Sequence, residues 1–373
     1  MITQFDDSHV IKNDLTSLET SLTELWSYLS HEQIWFKKDH LIKFETYFQT
    51  GGVVKIYICP QTVEKFTKAV SYLQERDIGF KVIGFTSNVL LFDQIQYSVI
   101  ISTKNLTNVE IDEHYAHVDC GFSLQDFVRI AITNGAGGFE GLEGIPGSIG
   151  GGVFMNAGAY GYSIAENIVS VDYIDSNGNL LTIDKEQCDF GHRKSLFKRT
   201  KSIILRVRFK LKPGSKEEIA SKVETFHIAR HSYQEFVYPN LGSMFSVRGD
   251  LYRELLRGEK SSKTYIYYFL KFLLKNPVSK FVARKKPSNV TFNKLLEGHL
   301  RHTNYTPSKK SLNILINDGS TSTRSHFEYM LEFKKRLGEK FDIENEPVLE
   351  PAYKVEADFH TLYQDIKSNI KSD

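Results

Sequence analysis

Leucine recurs at helical spacing near the start of the chain. The residues are Leu15, Leu18, Leu22, Leu25 and Leu29. Intervals of three and four residues predict an amphipathic helix over residues 13–29, with Asn13 and Asp14 as N-terminal caps. The repeat is little more than two heptads long, which is short for a coiled coil. We therefore expect this helix to lie on its own domain, and a contact with a second chain is the alternative.

Strand and helix patterns then alternate in two consecutive stretches. The first contains VVKIYICP, TVEKFTKAVSYLQERD and FKVIGF, followed by the alternating VLLF and YSVIIS. The second contains HVDCGF, the helical SLQDFVRIAITNG ended by Gly135, and then VSVDYI, LLTI and SIILRVRFKLK. Short β-rich runs separated by helical periodicity are typical of α/β units. The pattern predicts two such units, at residues 38–105 and 106–213.

The pattern changes at PGSKEE, which opens a helix near residue 214. A helix through Arg230, a strand at SLNILIND, a helix from Ser325 to Leu337 and a terminal FDIENEPVLEPAYK predict an α+β unit over residues 214–355. Residues 1–37 are a helical extension in this division, and residues 356–373 are a C-terminal tail. The fold class predicted for the whole chain is α+β.

Composition excludes some classes of function. The chain carries 47 Lys and Arg against 45 Asp and Glu, so the molecule as a whole is not predicted to bind nucleic acid. Cys59, Cys120 and Cys188 lack the paired spacing of a zinc site or a disulfide framework. We expect no metal and a reducing, cytoplasmic setting. The longest apolar stretch, residues 265–274, is interrupted by Lys271 and is too short to cross a membrane.

Residues 141–161, GLEGIPGSIGGGVFMNAGAYG, are dense in glycine. Such density is retained where φ must be positive or where another group approaches the backbone closely. We interpret that group as a ligand, and a glycine-rich turn between packed elements is the alternative. Pro146 restricts the chain and Ser148 offers a hydroxyl, so successive backbone N–H groups are predicted to surround phosphate oxygens. The spacing matches neither a P-loop nor the usual dinucleotide fingerprint.

GIPGSIGG followed by MNAGAYG resembles the flavin-binding signature of the UDP-N-acetylenolpyruvoylglucosamine reductase family. VIGFTSNVLLFD resembles the family's first flavin loop. The resemblance runs from about residue 38 to residue 351, and it implies two α/β FAD-binding subdomains followed by a smaller α+β substrate-binding domain. It implies FAD contacts at Gly84, Ser87, Asn88, Gly144, Ile145, Pro146, Gly147, Ser148, Gly150, Gly151, Asn156, Ala157 and Gly158.

The same resemblance implies a reaction. In the family, NADPH reduces FAD, and the flavin delivers hydride to an enolpyruvyl ether on a nucleotide sugar, giving UDP-N-acetylmuramate for peptidoglycan synthesis. FGHRKSLFK resembles the segment that supplies an active-site arginine, which is Arg193 here. YPNLGSMF resembles the segment of a proton-donating serine, which is Ser243 here. A guanidinium suits the carboxylate beside the reacting carbon because it forms two parallel hydrogen bonds.

The final acid of the family has no direct match. It follows a proline on the last strand, and the residues after the two nearby prolines are Val348 and Ala352. Alternate residues of a strand share a face, so Glu346 and Glu350 are the candidates. We choose Glu350, with Glu346 or loss of the acid as alternatives. Besides the family's own reaction, this departure allows action on another nucleotide sugar in surface polysaccharide synthesis, or a catalytically dead flavin-binding paralogue.

A basic, aromatic insert over residues 251–290 adds to the C-terminal unit. Residues 251–286 carry ten Lys and Arg against two Glu, with YIYYF among them. We expect a helical flap that packs its aromatic residues on the flavin domain and keeps its lysines in water. Contact with an anionic membrane surface is the alternative.

Overall fold

The structure is a computed structural model of the 373-residue chain. It describes residues 7–246, 250–257, 262–275, 293–294, 305–338 and 341–370. Residues 258–261 and 276–290 of the predicted insert lie outside these ranges. The architecture is α+β, which confirms the predicted fold class. Among the described residues, no helix combines the length and the apolar character needed to cross a lipid bilayer.

Helix α1 spans Asp7–His31, so it begins earlier than the predicted residue 13. Leu22, Leu25 and Leu29 are buried in a core that they share with the first sheet. Tyr28 stacks on Tyr72, with ring centroids 4.0 Å apart. The leucine face therefore lies on the chain's own fold, as predicted.

The first α/β stretch forms most of one sheet. Its elements are β1 (Phe36–Leu41), β2 (Val53–Ile58), α2 (Val63–Glu75), β3 (Lys81–Ile83), β4 (Val89–Leu91) and β5 (Ile95–Ser102). Strand β5 pairs in parallel with β2 and β3, and β2 pairs antiparallel with β1. Val99 and Ile101 enter one core and Ile100 enters another, because successive side chains of a strand face opposite sides. The sheet therefore separates two hydrophobic cores.

The second stretch forms an antiparallel sheet around the glycine-rich segment. Its elements are β6 (Val109–Ile111), β7 (Tyr115–Asp119), α3 (Leu124–Thr133), β8 (Ala136–Gly137), α4 (Ile149–Phe154), β9 (Gly158–Ala159), β10 (Tyr162–Ser163), β11 (Ile168–Ile174), β12 (Leu180–Asp184), α5 (Leu196–Thr200), β13 (Ile203–Lys210) and β14 (Lys212–Pro213). The strand order is β12-β11-β13-β7-β6. Val171, Val207 and Val118 are paired across three neighbouring strands and are buried. Residues 36–213, to which the resemblance assigns flavin binding, are called the flavin-binding part below.

Residues 216–370 are called the C-terminal part below. Its first helix packs on the second stretch, and its buried residues from Leu241 onward pack on the opposite face of the first sheet. Its elements are α6 (Lys216–His231), α7 (Leu251–Leu255), α8 (Ser262–Lys275), β15 (Pro307–Ser308), β16 (Ser311–Leu315), α9 (Thr323–Leu337), β17 (Glu346–Val348), β18 (Ala352–Val355) and α10 (His360–Ile370). Strand β17 pairs with β4 and β18 pairs with β5. The chain therefore returns to the first sheet near its end.

The end of the chain differs from the expected tail. Helix α10 occupies most of residues 356–373, and Phe359, Tyr363 and Ile366 are buried in the second core. That core also contains residues of β4 and β5, so it joins the first α/β stretch to the C-terminal part. The division into separate domains at residues 105, 213 and 355 stays a prediction.

Candidate active site

A cavity of about 2300 Å³ is lined by both parts of the molecule. Its walls include residues 84–88, 144–148, 193–195, 240–243 and 342–347. Small-molecule pockets usually measure roughly 300–1,000 Å³. The cavity therefore has room for a dinucleotide and a second ligand side by side.

The loops 84–88 and 144–148 contact each other at one wall of the cavity. Ser87 Oγ donates a hydrogen bond to the carbonyl oxygen of Pro146 at 2.7 Å. A Cβ atom added to Gly84 would lie 2.6 Å from Ser148 Oγ, which is closer than side-chain atoms approach one another. Gly147 has a φ of +138°, which residues with a side chain rarely adopt. Glycine at these two positions lets the loops approach.

Both loops carry backbone N–H groups that donate no hydrogen bond to another described residue. They belong to Phe85, Thr86, Ser87, Asn88, Gly147 and Ser148. Thr86 has a φ of +58°, so the backbone turns sharply within the first loop. Successive free N–H groups at a turn form a concave site that suits phosphate oxygens. The two loops therefore fit the diphosphate of a dinucleotide.

Other glycines of segment 141–161 are required by contacts within the protein. A Cβ atom on Gly150 would lie 2.8 Å from Cys120 Cβ, and one on Gly158 would lie 2.4 Å from the carbonyl oxygen of Tyr162. Close-packed protein atoms leave no space for a methyl group at either position. The density of glycine predicted a ligand along the whole segment. At Gly150 and Gly158, however, the atoms that exclude a side chain belong to Cys120 and Tyr162 of the protein itself.

Most residues predicted to contact FAD line the cavity. They are Gly84, Ser87, Asn88, Gly144, Ile145, Pro146, Gly147, Ser148, Gly150, Gly151, Ala157 and Gly158. Asn156 is not among the lining residues. Its Nδ2 donates to the carbonyl oxygen of Gly191 at 2.8 Å, so this side chain supports the turn that carries Arg193.

Arg193 lies in a tight turn at the cavity wall. The Gly191 N–H donates to the Lys194 carbonyl at 3.0 Å, and the Lys194 N–H donates back to Gly191 at 3.3 Å. Arg193 has a φ of +54°, consistent with its place between these two residues. Its Nε lies 3.6 Å from Glu344 Oε2, and 37% of its side chain is exposed. The guanidinium is therefore close to a carboxylate but still accessible from the cavity.

Ser243 lies in a loop fixed by two asparagine side chains. Asn240 Oδ1 accepts a hydrogen bond from the Gly242 N–H at 3.0 Å. Asn313 Oδ1 accepts from the Phe245 N–H at 3.0 Å, and Asn313 Nδ2 donates to the Phe245 carbonyl at 2.7 Å. These bonds hold the backbone on both sides of Ser243 and place this residue in the cavity wall.

Asn88 connects the first flavin loop to the C-terminal part. Its Nδ2 donates to the Glu344 carbonyl at 2.8 Å, and its Oδ1 accepts from Asn345 Nδ2 at 3.0 Å. Asn345 Nδ2 also donates to the Leu241 carbonyl at 2.9 Å, and the Glu344 N–H donates to Met244 at 2.8 Å. The first loop, the Ser243 loop and Glu344 are therefore joined by one hydrogen-bond network.

Glu350 lines the cavity, but its carboxylate is held by the C-terminal helix and the adjacent backbone. Oε1 accepts hydrogen bonds from Tyr363 at 2.6 Å and from Lys367, and Oε2 accepts from the Ala352 N–H at 2.8 Å. Burial acts to raise the pKa of Glu350, and the bonds from Lys367 and Tyr363 outweigh it and lower that pKa. Glu346 lies 3.1 Å from Lys198 Nζ. Neither Glu346 nor Glu350 forms an ion pair with Arg193.

Comparison with known proteins identifies the family. An FAD binding domain model matches residues 54–184. UDP-N-acetylenolpyruvoylglucosamine reductase 2 of Bacillus cereus is 33% identical over 227 residues, covering 60% of this chain and 74% of the relative. The Fervidobacterium nodosum reductase is 36% identical over 207 residues, covering 55% and 67%. The chain belongs to the UDP-N-acetylenolpyruvoylglucosamine reductase family.

A solved structure of the family has the same fold. The reductase of Thermus caldophilus superposes with a TM-score of 0.61 at 23% identity, covering 84% of this chain and 98% of that structure. The FAD binding domain match includes both loops 84–88 and 144–148. The chain is an FAD-dependent oxidoreductase, which confirms the cofactor and the class of enzyme expected from the resemblance.

Two charged residues of the site were missed by sequence reasoning. Glu344 contacts Arg193, and the signal for it was its alternation with Glu346 along an extended segment. Lys81 lines the cavity from β3, and the signal was a lysine inside the apolar run FKVIGF. Burial lowers the pKa of Lys81, and the nearby carboxylate of Glu346 partly offsets that effect. Because it contacts Arg193, Glu344 is a third candidate for the acid of the site besides Glu346 and Glu350.

Proposed function

We propose that the chain reduces the enolpyruvyl ether of UDP-N-acetylglucosamine enolpyruvate to UDP-N-acetylmuramate, with NADPH as the reductant. The observation that carries this proposal is the presence of Arg193 and Ser243 on one cavity with the two loops of free N–H groups. A cation, a hydroxyl and a dinucleotide site are the groups that hydride addition to an anionic vinyl ether requires.

The N–H groups of loops 84–88 and 147–148 hold the diphosphate of FAD in this proposal. Free N–H groups, a positive φ at Thr86 and the absence of side chains at Gly84 and Gly147 support this assignment. Bound FAD supplies hydride transfer from NADPH to the vinyl carbon. Both loops belong to the flavin-binding part. Asn88 connects the first of them to the Ser243 loop through its hydrogen bonds to Glu344 and Asn345.

Arg193 binds the carboxylate of the substrate. Hydride addition builds negative charge on the carbon beside that carboxylate, and a fixed cation stabilises this charge without having to reorganise. The turn at Gly191 and Lys194, supported by Asn156, fixes the backbone of Arg193. Its partly exposed guanidinium leaves donors available to a ligand in the cavity.

Ser243 donates the proton that completes the addition. A hydroxyl is a weak acid, so its contribution depends on being held at the reacting carbon when charge develops there. The hydrogen bonds of Asn240 and Asn313 to the flanking backbone supply that position. Among the described residues, none forms a hydrogen bond with the Ser243 hydroxyl, so this hydroxyl is available to a ligand.

Glu344 positions Arg193. It is the carboxylate in contact with the guanidinium, and only 15% of its side chain is exposed. Glu350 is engaged by Tyr363, Lys367 and Ala352, and Glu346 by Lys198. We therefore prefer Glu344 to the Glu350 and Glu346 candidates drawn from the strand pattern.

Anaerobic half-reactions test this function. The purified protein with FAD is mixed first with NADPH and then with UDP-N-acetylglucosamine enolpyruvate, and flavin absorbance is recorded. We expect bleaching in the first step and recovery of the absorbance in the second. Bleaching without recovery contradicts the proposed substrate, and a flavin that NADPH does not bleach contradicts the proposed reductant.

A second candidate is the reduction of another nucleotide sugar. It is favoured by Glu344, whose negative charge partly compensates Arg193 before any substrate binds. It is also favoured by Val348 and Ala352, the apolar residues that follow Pro347 and Pro351. In the half-reaction experiment, this candidate predicts recovery only with a different nucleotide sugar, whereas a catalytically dead paralogue predicts no turnover with any of them.

A further inference from the structure

Helix α8 has one face anchored in the protein and one face in solvent. On the inner face, Tyr267 is buried, and its hydroxyl donates to Asp250. Lys271 forms an ion pair with the same carboxylate, and Asp250 also accepts from the N–H groups that begin α7. Because these contacts fix the rotation of α8 about its axis, the opposite face is held outward.

The outward face consists of large apolar side chains. Tyr265, Ile266, Tyr268, Phe269 and Phe272 are 66%, 45%, 45%, 61% and 67% exposed. At 3.6 residues per turn, the five positions fall within an arc of about 160°. Solvent exposure of several contiguous aromatic side chains is unfavourable and marks an interaction surface. The prediction that the aromatic residues of the insert pack on the flavin domain is therefore wrong for these five exposed side chains.

We propose that this face lies on the surface of an anionic lipid bilayer. The charge distribution of the chain selects this partner. Residues 251–286 carry ten basic and two acidic residues, a net charge of +8, whereas the whole chain is +2. The remainder is therefore −6, from +2 minus +8. An anionic surface attracts the stretch of sequence that contains α8 and repels the rest of the chain, which favours lipid as the partner of the apolar face.

The dimensions of α8 suit a helix that lies in the interface. It has 14 residues, which is about 21 Å at the rise of an α-helix, against roughly 30 Å for a bilayer core. Aromatic side chains with basic neighbours are the usual composition of interfacial helices. The anchored inner face keeps the helix attached to the enzyme while the outer side chains enter the headgroup region.

Two other occupants fit less well. A second copy would bring two segments of net charge +8 together, and like charges oppose such a contact. The ligands of the active site do not cover this face either, because none of the described residues of α8 lines the cavity. The surface is thus separate from the proposed reaction, and its test does not depend on that reaction.

Vesicle flotation of the full chain with FAD bound tests this surface. We compare vesicles of phosphatidylcholine alone with vesicles that also contain phosphatidylglycerol. We expect roughly tenfold more binding to the anionic vesicles, and this preference should weaken at high salt. The variant Tyr265→Ser/Phe269→Ser/Phe272→Ser should lose roughly tenfold or more of the binding.

The matched control removes exposed apolar side chains elsewhere. Phe44→Ser/Leu180→Ser/Val237→Ser changes residues that are 74%, 62% and 81% exposed, and it should bind vesicles like the wild type. Retained flavin absorbance shows that both variants are folded. The account is overturned if the wild type floats with neither vesicle, or if the α8 variant floats as well as the wild type. The account is also overturned if the wild type does not bind vesicles but forms a dimer in light scattering, and the α8 variant is a monomer. That result would assign the face to a second copy of the chain.

Discussion

The flavin-binding part and the C-terminal part contribute to the cavity in different ways. Besides the side chains of Arg193 and Lys81, the flavin-binding part contributes backbone N–H groups from two short contiguous loops, and glycine is needed at Gly84 because a Cβ atom there would clash with Ser148. The C-terminal part contributes side chains, among them Ser243, Glu344 and Glu350, from segments far apart in the sequence. A local sequence motif can encode the first kind of site, whereas the second depends on how the whole chain folds.

Backbone donors and side-chain acids tolerate substitution differently. Backbone donors survive substitution as long as the glycines keep the loops in place, whereas a side-chain acid disappears with one mutation. Neither residue that follows the two nearby prolines, Val348 or Ala352, is an acid, and Glu344 lies at the arginine. Substitutions in the two loops should therefore affect FAD binding, whereas substitutions at Ser243 or Glu344 should affect the substrate half-reaction.

The largest effect is expected for Ser243→Ala. Removing a positioned proton donor should slow the substrate half-reaction by roughly 10²–10⁴-fold and leave flavin reduction by NADPH unchanged. Stopped-flow absorbance measures the two steps separately. Ser246→Ala is the matched control, because Ser246 also lines the cavity three residues further along. Equal slowing in both variants would remove Ser243 from the mechanism.

The second effect is expected for Gly150→Ala in the flavin-binding part. The new methyl group would lie 2.8 Å from Cys120 Cβ and 3.1 Å from the Cys120 carbonyl oxygen, so α4 and the loop that precedes it must move. Overpacking of this kind costs about 1–3 kcal/mol, and we expect FAD affinity to fall roughly 10- to 100-fold by titration of the apoprotein. Gly137→Ala is the control, because its added methyl group meets nothing closer than 3.5 Å. If both variants bind FAD like the wild type, the close contact between Gly150 and Cys120 does not determine FAD affinity.

A smaller effect should distinguish the carboxylates. Glu344→Gln removes the charge beside Arg193, and we expect the substrate half-reaction to slow by roughly tenfold because the guanidinium loses its orientation. Glu350→Gln should leave that rate unchanged, since Glu350 is bound to the C-terminal helix. Single-turnover kinetics of both variants measures this. The reverse order of effects would favour Glu350, the candidate that the strand pattern predicts.

The smallest effect concerns stability and pH. The pKa of Glu350 is lowered in the folded protein, so its contribution is present above the ordinary carboxyl pKa near 4.5 and is lost as the pH falls through the folded value. Because half of the side chain is exposed, we expect Glu350→Gln to cost about 0.5–1 kcal/mol at neutral pH. Urea unfolding measures this difference, which should vanish in acid. A difference that persists at low pH, or an equal loss in Glu356→Gln, would contradict the role of the Lys367 contact.

Much of the fold was predictable from local patterns. The strands β2, β5, β7, β11 and β13 and the helices α2, α3 and α9 lie where the periodicity placed them. Helix α10 was missed because its burial arises from contacts with β4 and β5, which no local pattern reveals. The packing role of Gly150 was missed for the same reason, since its neighbour Cys120 belongs to another segment.

The candidate site divides in the same way. The loops that line the cavity were found because their glycines are contiguous and resemble a known signature. Glu344 was missed because its importance comes from Arg193, which lies on a distant turn. Asn156 was assigned to the cofactor from its place in the motif, whereas its side chain bonds to Gly191. Sequence motifs locate backbone sites well, but they do not show which side chains meet.

Hydrogen–deuterium exchange of the apoprotein and the FAD-bound protein tests the central claim most directly. If the backbone N–H groups of residues 85–88 and 147–148 hold the diphosphate, FAD should slow their exchange strongly, because free donors become hydrogen-bonded. The N–H of Gly150, which already donates to Cys120 at 2.7 Å, should change less. Unchanged exchange at residues 85–88 and 147–148 when FAD is bound would contradict the account.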